Sequence, residues 1–135
     1  MIRVGRLDHF GVDVADLDRA ERFYTEVLGM SVVMRLPDQR LLRYGDGNCA
    51  LFEKRGRPAP DPSLIEHPLG ESHHAFRVEW DELDRARRLF AERGIPHHAP
   101  IDWGDHHCLY FLDPDGNLLE LVGYREPSGS RPATV

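Results

Sequence analysis

Two histidines and one glutamate sit where their side chains can do joint chemistry. His9 lies in LDHFGVDVADLDRAERFYTEVLGM (7–30) and His73 in SHHAFRVEWDELDRARRLFAERGI (72–95). The two stretches match. LDRA occurs at 17–20 and again at 83–86, 66 residues later. His9 pairs with His73 and Val14 with Val78 at an offset of 64, Tyr24 with Phe90 at 66, and Gly29 with Gly94 at 65. Offsets that drift by one or two are what loop insertions leave in a duplicated module. Glu120 supplies the third group, a carboxylate between leucines in NLLELV (117–122). A buried carboxylate with no partner is costly, and a divalent cation shared with two neutral imidazoles removes that cost. Two His and one carboxylate, with coordination positions left open, form a ligand set for Fe(II) that also accepts Mn(II), Zn(II) or Ni(II).

The elements that must carry these groups follow from periodicity. Residues 7–14 alternate, with Phe10, Val12 and Val14 on one side and Leu7, His9, Gly11 and Asp13 on the other; period two marks a half-buried strand. Asp16 is placed to cap a following helix, whose inner stripe is Leu17, Ala20, Tyr24 and Val27. Gly29 is placed to stop it. Strands are then expected at 31–36, 41–44 and 49–53, with Gly45-Asp46-Gly47-Asn48 as a hairpin turn. The second stretch repeats the order: a strand over 73–78, a helix over 82–93 with Leu83, Ala86 and Phe90 inward, then strands near 95–99, 107–112 and 117–123. Asp113-Pro114-Asp115-Gly116 makes the last tight turn.

This pattern predicts an α+β fold of two tandem βαβββ modules that form a curved sheet or cup with the helices outside. Module one spans 5–54, a proline-bearing connector 55–71, module two 72–124, and the tail 125–135 reads as disordered. Parity then decides which histidine matters. Phe76 and Val78 share parity with His74 and face the helix, so His73 is the partner of His9. Both point to the concave side, and Glu120, flanked by helix-facing Leu119 and Leu121, points there too.

Net charge is −6 and the pI about 5.7. This balance argues against nucleic acid or an anionic membrane surface as partner, since both need a basic face. No apolar run approaches the roughly 20 residues of a membrane span, and MIRVGRLDHF holds no apolar signal core. Cys49 and Cys108 lie in apolar runs and read as small buried hydrophobes of a reducing, cytoplasmic compartment. Other residues extend the candidate site. Tyr110 can donate a hydrogen bond or a proton; its competing reading is a tyrosine packed at a sheet edge. His106 and His107 offer imidazoles that titrate near neutrality, with His107 taken as the catalytic candidate; solvated loop histidines are the alternative. Arg77 can clamp an anionic substrate from the concave face, or pair with Asp13 across the modules. His67, His97 and His98 read as surface residues.

LDHFGVDVADLDRAERFYTEVLGM resembles the opening of a vicinal oxygen chelate module, and LYFLDPDGNLLEL (109–121) resembles its closing hairpin. That superfamily includes glyoxalase I, fosfomycin-resistance proteins, methylmalonyl-CoA epimerase and extradiol dioxygenases. The resemblance covers residues 5–124 and implies metal ligands at His9, His73 and Glu120. It implies one divalent ion per site, Fe(II) or Mn(II) first and Zn or Ni as alternatives. Glyoxalase I-like members carry a fourth ligand on the last strand of the first module. Aligning CALFE with LLELV puts Leu51 there, which cannot bind metal; Glu53 becomes a candidate only if the register slips. Tyr110 matches the phosphonate-binding tyrosine of the fosfomycin branch, whereas the basic residues that follow its glutamate are absent from VGYREPSG, where only Arg125 is basic. The implied function is an enzyme that chelates a small substrate through vicinal oxygens, with dioxygenase- or lyase/isomerase-type chemistry. The alternatives are a metal-free sequestering protein of the bleomycin-resistance type and a fosfomycin-type transferase. Short members form homodimers, and some share metal sites between chains.

Overall fold

The structure, a computed structural model, describes residues 1–125; the tail expected to be disordered lies, from residue 126 onward, outside the described residues. Contacts divide the chain into two units, Met1–Ala59 and Pro60–Val135. Each contains a four-stranded mixed sheet flanked by one long helix, and the two sheets have the same topology.

In the first unit β1 (His9–Val14) leads through α1 (Leu17–Glu26) to β2 (Ser31–Leu36), β3 (Gln39–Tyr44) and β4 (Gly47–Glu53), with sheet order β1-β4-β3-β2. The expected alternation in β1 is present: Phe10, Val12 and Val14 are buried, and His9, Gly11 and Asp13 are exposed. The Asp16 carboxylate accepts from the Arg19 N–H and caps α1. Helix α1 buries Leu17, Ala20, Phe23 and Tyr24. Phe23 thus joins the expected stripe, while Val27 falls at the helix C-cap and is half-buried.

The second unit opens with a short helix, α2 (Ser63–Glu66), where the sequence suggested only an extended connector. The Asp61 carboxylate accepts from both the N–H and the hydroxyl of Ser63, which starts the turn. Then come β5 (His74–Val78), α3 (Glu82–Arg93), β6 (Ile101–Asp102), β7 (His106–Leu112) and β8 (Leu118–Tyr124), in sheet order β5-β8-β7-β6. Gly94 ends α3 with φ 66°, a left-handed conformation that only glycine adopts without penalty, and the Ile95 N–H turns back to the Phe90 carbonyl. The strand expected over 95–99 is replaced by one isolated bridge, His97 to Phe111, and the two-residue β6. Pro96 and Pro100 bracket the segment, and neither can donate to a ladder. The β7–β8 turn is fixed by Asp113, whose buried carboxylate accepts from the N–H groups of Asp115 and Asn117 and from the Asn117 amide.

Helix α3 lies on the face of the second sheet that carries Leu109, Phe111, Leu119 and Leu121. Phe90 and Phe111 stack at 4.6 Å between ring centroids, and both are almost fully buried. A Cβ added at Gly123 would sit 2.8 Å from Leu83, so the helix approaches the sheet closely there. Truncating Phe111 to Ala removes a ring from this layer. A loss of about 3–5 kcal/mol of unfolding free energy is expected, read from urea denaturation followed by circular dichroism.

Candidate metal-binding site

The opposite face of the second sheet holds the polar groups. Strand β8 pairs in parallel with β5, with Ala75 opposite Glu120, and antiparallel with β7, with Tyr110 opposite Glu120. Period two puts Leu118, Glu120, Val122 and Tyr124 on this face with Cys108, Tyr110 and Leu112 of β7. Cys108, Tyr110, Leu112 and Leu118 form a buried cluster against which Leu64, Ile65, Ile101 and Val122 pack. Helix α2 therefore covers part of the face that carries Glu120.

Glu120 is only 8% exposed. Its Oε1 lies 2.9 Å from Nε2 of His73, the residue just before β5. The other imidazole nitrogen of His73, Nδ1, lies 2.7 Å from the Glu71 carbonyl oxygen. A carbonyl oxygen only accepts, so Nδ1 carries the proton. In the neutral ring Nε2 then holds a lone pair, aimed at a carboxylate oxygen that also holds lone pairs. Only a positive centre between them, a proton or a cation, makes this contact favourable. The His73 ring rests edge-on against Tyr110, with centroids 5.2 Å apart.

Burial pushes the Tyr110 phenol up to about 12, and the nearby Glu120 charge adds to the shift. Burial likewise pushes the Cys108 thiol up to about 11, with the Glu120 carboxylate adding to it and the hydrogen bond from Trp103 Nε1 to Sγ at 3.3 Å opposing it. At neutral pH both groups are protonated, so Glu120 is flanked by a neutral O–H and a neutral S–H. Cys108, read from sequence as a plain buried hydrophobe, thus stands beside the carboxylate. Its even spacing from Tyr110 on one strand was the available signal.

His107 has the opposite parity. It pairs with Gly123 on the α3 side, packs on the Trp80 ring at 4.4 Å, and lies 3.2 Å from Asp102. It does not share a face with Glu120. His106 does, and its ring packs on Tyr124 at 4.9 Å while Nδ1 bonds Asp105. Both histidines belong to β7 and are half-buried, which replaces the reading of solvated loop residues. Tyr110 is likewise an interior strand residue, between β8 and β6 rather than at the sheet edge. His97 and His98, expected on the surface, are half-buried, the former against Phe90. Arg77 lies on the Glu120 face, its guanidinium 4.2 Å from the centre of the Tyr124 ring.

In the first unit the His9 Nδ1 lies 2.8 Å from the Asp8 carboxylate, which leaves Nε2 as the presented nitrogen, as in His73. The register of β1 with β4 corrects one alignment. Gly11 pairs with Ala50 and Val12 with Leu51. Since Gly11 corresponds to Ala75, which pairs with Glu120, the counterpart of Glu120 is Ala50. Leu51 is fully buried on the α1 side, and Glu53, paired with Val14, shares its parity. Neither shares the His9 face, where Phe52 instead fills the space over Gly11: a Cβ there would meet its ring at 2.6 Å. Among the described residues no group of three His, Cys, Asp or Glu side chains is already gathered as a metal-holding set.

Comparison with known proteins agrees with this architecture. The profile of the Glyoxalase/Bleomycin resistance protein/Dioxygenase superfamily matches residues 6–121. Biphenyl-2,3-diol 1,2-dioxygenase 3 of Rhodococcus globerulus is 30% identical over 86% of this chain, which spans 62% of that protein's length. The glyoxalase domain-containing protein RDO1 of Mycosarcoma maydis is 31% identical over 93% of the chain and 72% of its own length. Among solved structures, a glyoxalase/dioxygenase of Nostoc punctiforme superposes with a TM-score of 0.73 at 25% identity, covering 90% of this chain and 92% of its own.

Tyr110 offers a direct check on the buried carboxylate. In an ultraviolet titration of the chain, the step that disappears in Tyr110→Phe should lie near pH 12. Replacing Glu120 by Gln removes a negative charge that opposes phenolate formation. The Tyr110 pKa should therefore fall while staying above the ordinary value near 10, because burial is the larger cause.

Proposed function

This chain belongs to the Glyoxalase/Bleomycin resistance protein/Dioxygenase superfamily, and on that premise we propose that it is a metal-dependent enzyme whose substrate chelates the metal through neighbouring oxygens. The reaction is of dioxygenase or lyase/isomerase type. The observation that carries the reading is the contact between His73 Nε2 and Glu120 Oε1 at 2.9 Å, with Nδ1 already committed to the Glu71 carbonyl. Two acceptors that meet in a half-buried place fit a divalent cation, and an imidazole whose second nitrogen is held by a backbone carbonyl is oriented as metal-ligating histidines are.

His73 and Glu120 would hold the ion, with His9 as third ligand from this chain or from a second copy in a homodimer. Fe(II) or Mn(II) suits two imidazoles and one carboxylate, and Zn(II) or Ni(II) accepts the same donors. When bound, such an ion acts as a Lewis acid towards substrate oxygens. The remaining work falls to the chain. Tyr110, protonated at neutral pH, supplies a neutral hydrogen-bond donor beside Glu120. Leu64, Ile65 and Val122 cover the neighbouring surface and limit access of water. Leu51 and Glu53 lie on the face of the first sheet opposite to His9, which supports a three-ligand reading. His107 is assigned no proton-transfer role, because it faces α3.

Metal analysis of the purified chain tests the reading. About one transition metal ion per chain is expected, strongly reduced in Glu120→Gln and in His73→Ala and unaffected in His107→Ala. Chelator treatment should abolish turnover of a vicinal diol, and Fe(II) or Mn(II) should restore it. A wild-type chain that takes up no divalent metal would refute the proposal and favour a sequestering protein.

A further inference from the structure

Most arginines in this chain whose contacts are defined sit against carboxylates: Arg6 on Asp46, Arg35 and Arg40 on Glu21, Arg85 on Glu82, Arg87 on Asp84 and Arg125 on Asp102. Arg77 does not. It is exposed, no carboxylate of the described residues pairs with it, and its guanidinium lies over the Tyr124 ring at 4.2 Å. Stacking on a ring occupies the flat side of a guanidinium and leaves its edge of N–H donors open, which is the geometry that takes a carboxylate through two parallel hydrogen bonds. In a chain of net charge −6, a cation held in place this way has no anionic partner among the described residues.

Its position relates it to the proposed metal pair. Arg77 is opposite Val122, and Ala75 is opposite Glu120. Two residues along a strand span about 7 Å, so Arg77 stands that far from Glu120 on the same face. Half-buried Val122 lies between them, and the rings of Tyr124, His106 and Trp103 continue beyond, Tyr124 and His106 at 4.9 Å and His106 and Trp103 near-parallel at 6.3 Å. We propose that Arg77 is the specificity-determining residue of this site and that the substrate carries a carboxylate about one aromatic ring away from its chelating oxygens. One guanidinium offers a single positive charge and a pair of parallel N–H donors, which match a monoanionic carboxylate better than a doubly charged phosphate. This inference rests on the proposed function for the chelating end, and on Arg77 alone for the anionic end.

The test is calorimetric titration of the metal-loaded full chain with 3,4-dihydroxybenzoate and with 1,2-dihydroxybenzene, which differ only in the carboxylate. Wild type should bind the acid at least about 10-fold tighter. In Arg77→Gln the two affinities should become equal through loss of acid binding, with binding of the plain diol unchanged; Arg77→Lys should keep only part of the preference. In turnover the loss should appear in KM for the acid and not in kcat. Equal affinities in wild type, a preference that survives Arg77→Gln, or binding of neither compound by metal-loaded protein would overturn the inference. If the chain takes up no metal, the metal reading fails separately. Benzoate titrated into the metal-free chain then decides on Arg77: saturable binding abolished in Arg77→Gln supports it, and no binding overturns it.

Discussion

A carboxylate held among leucines needs a positive partner, and the second unit is arranged around that need. Glu120 is buried because β8 lies between β5 and β7, with Leu119 and Leu121 turned to α3 and Leu118 beneath α2. The protonation of its neighbours follows from its charge and from the burial they share. Tyr110 and Cys108 are held neutral, and His73 turns Nε2 towards the carboxylate because a backbone carbonyl holds Nδ1. Each of these groups would be ordinary elsewhere on the surface. Their combination is what distinguishes this face from a plain sheet.

The two units show how a duplicated scaffold can be differentiated at few positions. Strand order, the parallel pairing of first and last strand, and the flanking helix are the same in both. At the position of Glu120 the first unit has Ala50, and beside it Phe52 closes over Gly11. One unit therefore carries an exposed histidine on a face with alanine at the carboxylate position and Phe52 over Gly11, and the other carries histidine, carboxylate and phenol together. Backbone pairing is indifferent to that substitution, because every residue donates and accepts the same ladder bonds.

Helix α2 adds a feature that the repeat does not contain. Asp61 and Ser63 start it, and Leu64 and Ile65 place apolar surface against the cluster of Cys108, Tyr110, Leu112 and Leu118. The apolar cover lowers the local dielectric, which strengthens electrostatic interactions at Glu120 and raises the cost of leaving that charge uncompensated.

The sequence by itself determined whatever depends on local period and local chemistry. Alternation placed Phe10, Val12 and Val14 against a helix and His9 away from them; the offset of 64 made His73 its partner; Asp16 marked the start of α1; and the leucines around Glu120 gave its side of β8. These signals are carried by residues a few positions apart, so they survive without knowledge of the fold. Tertiary structure decided what depends on register between distant segments. It put Ala50, not Leu51, at the position of Glu120, turned His107 to the α3 side, reduced the strand expected over 95–99 to a bridge and a two-residue β6, and laid α2 over the face that holds the carboxylate. The physical reason is that a shift of one residue in strand pairing exchanges the two faces of a sheet, and nothing within a single strand records which residue of a distant strand it will meet.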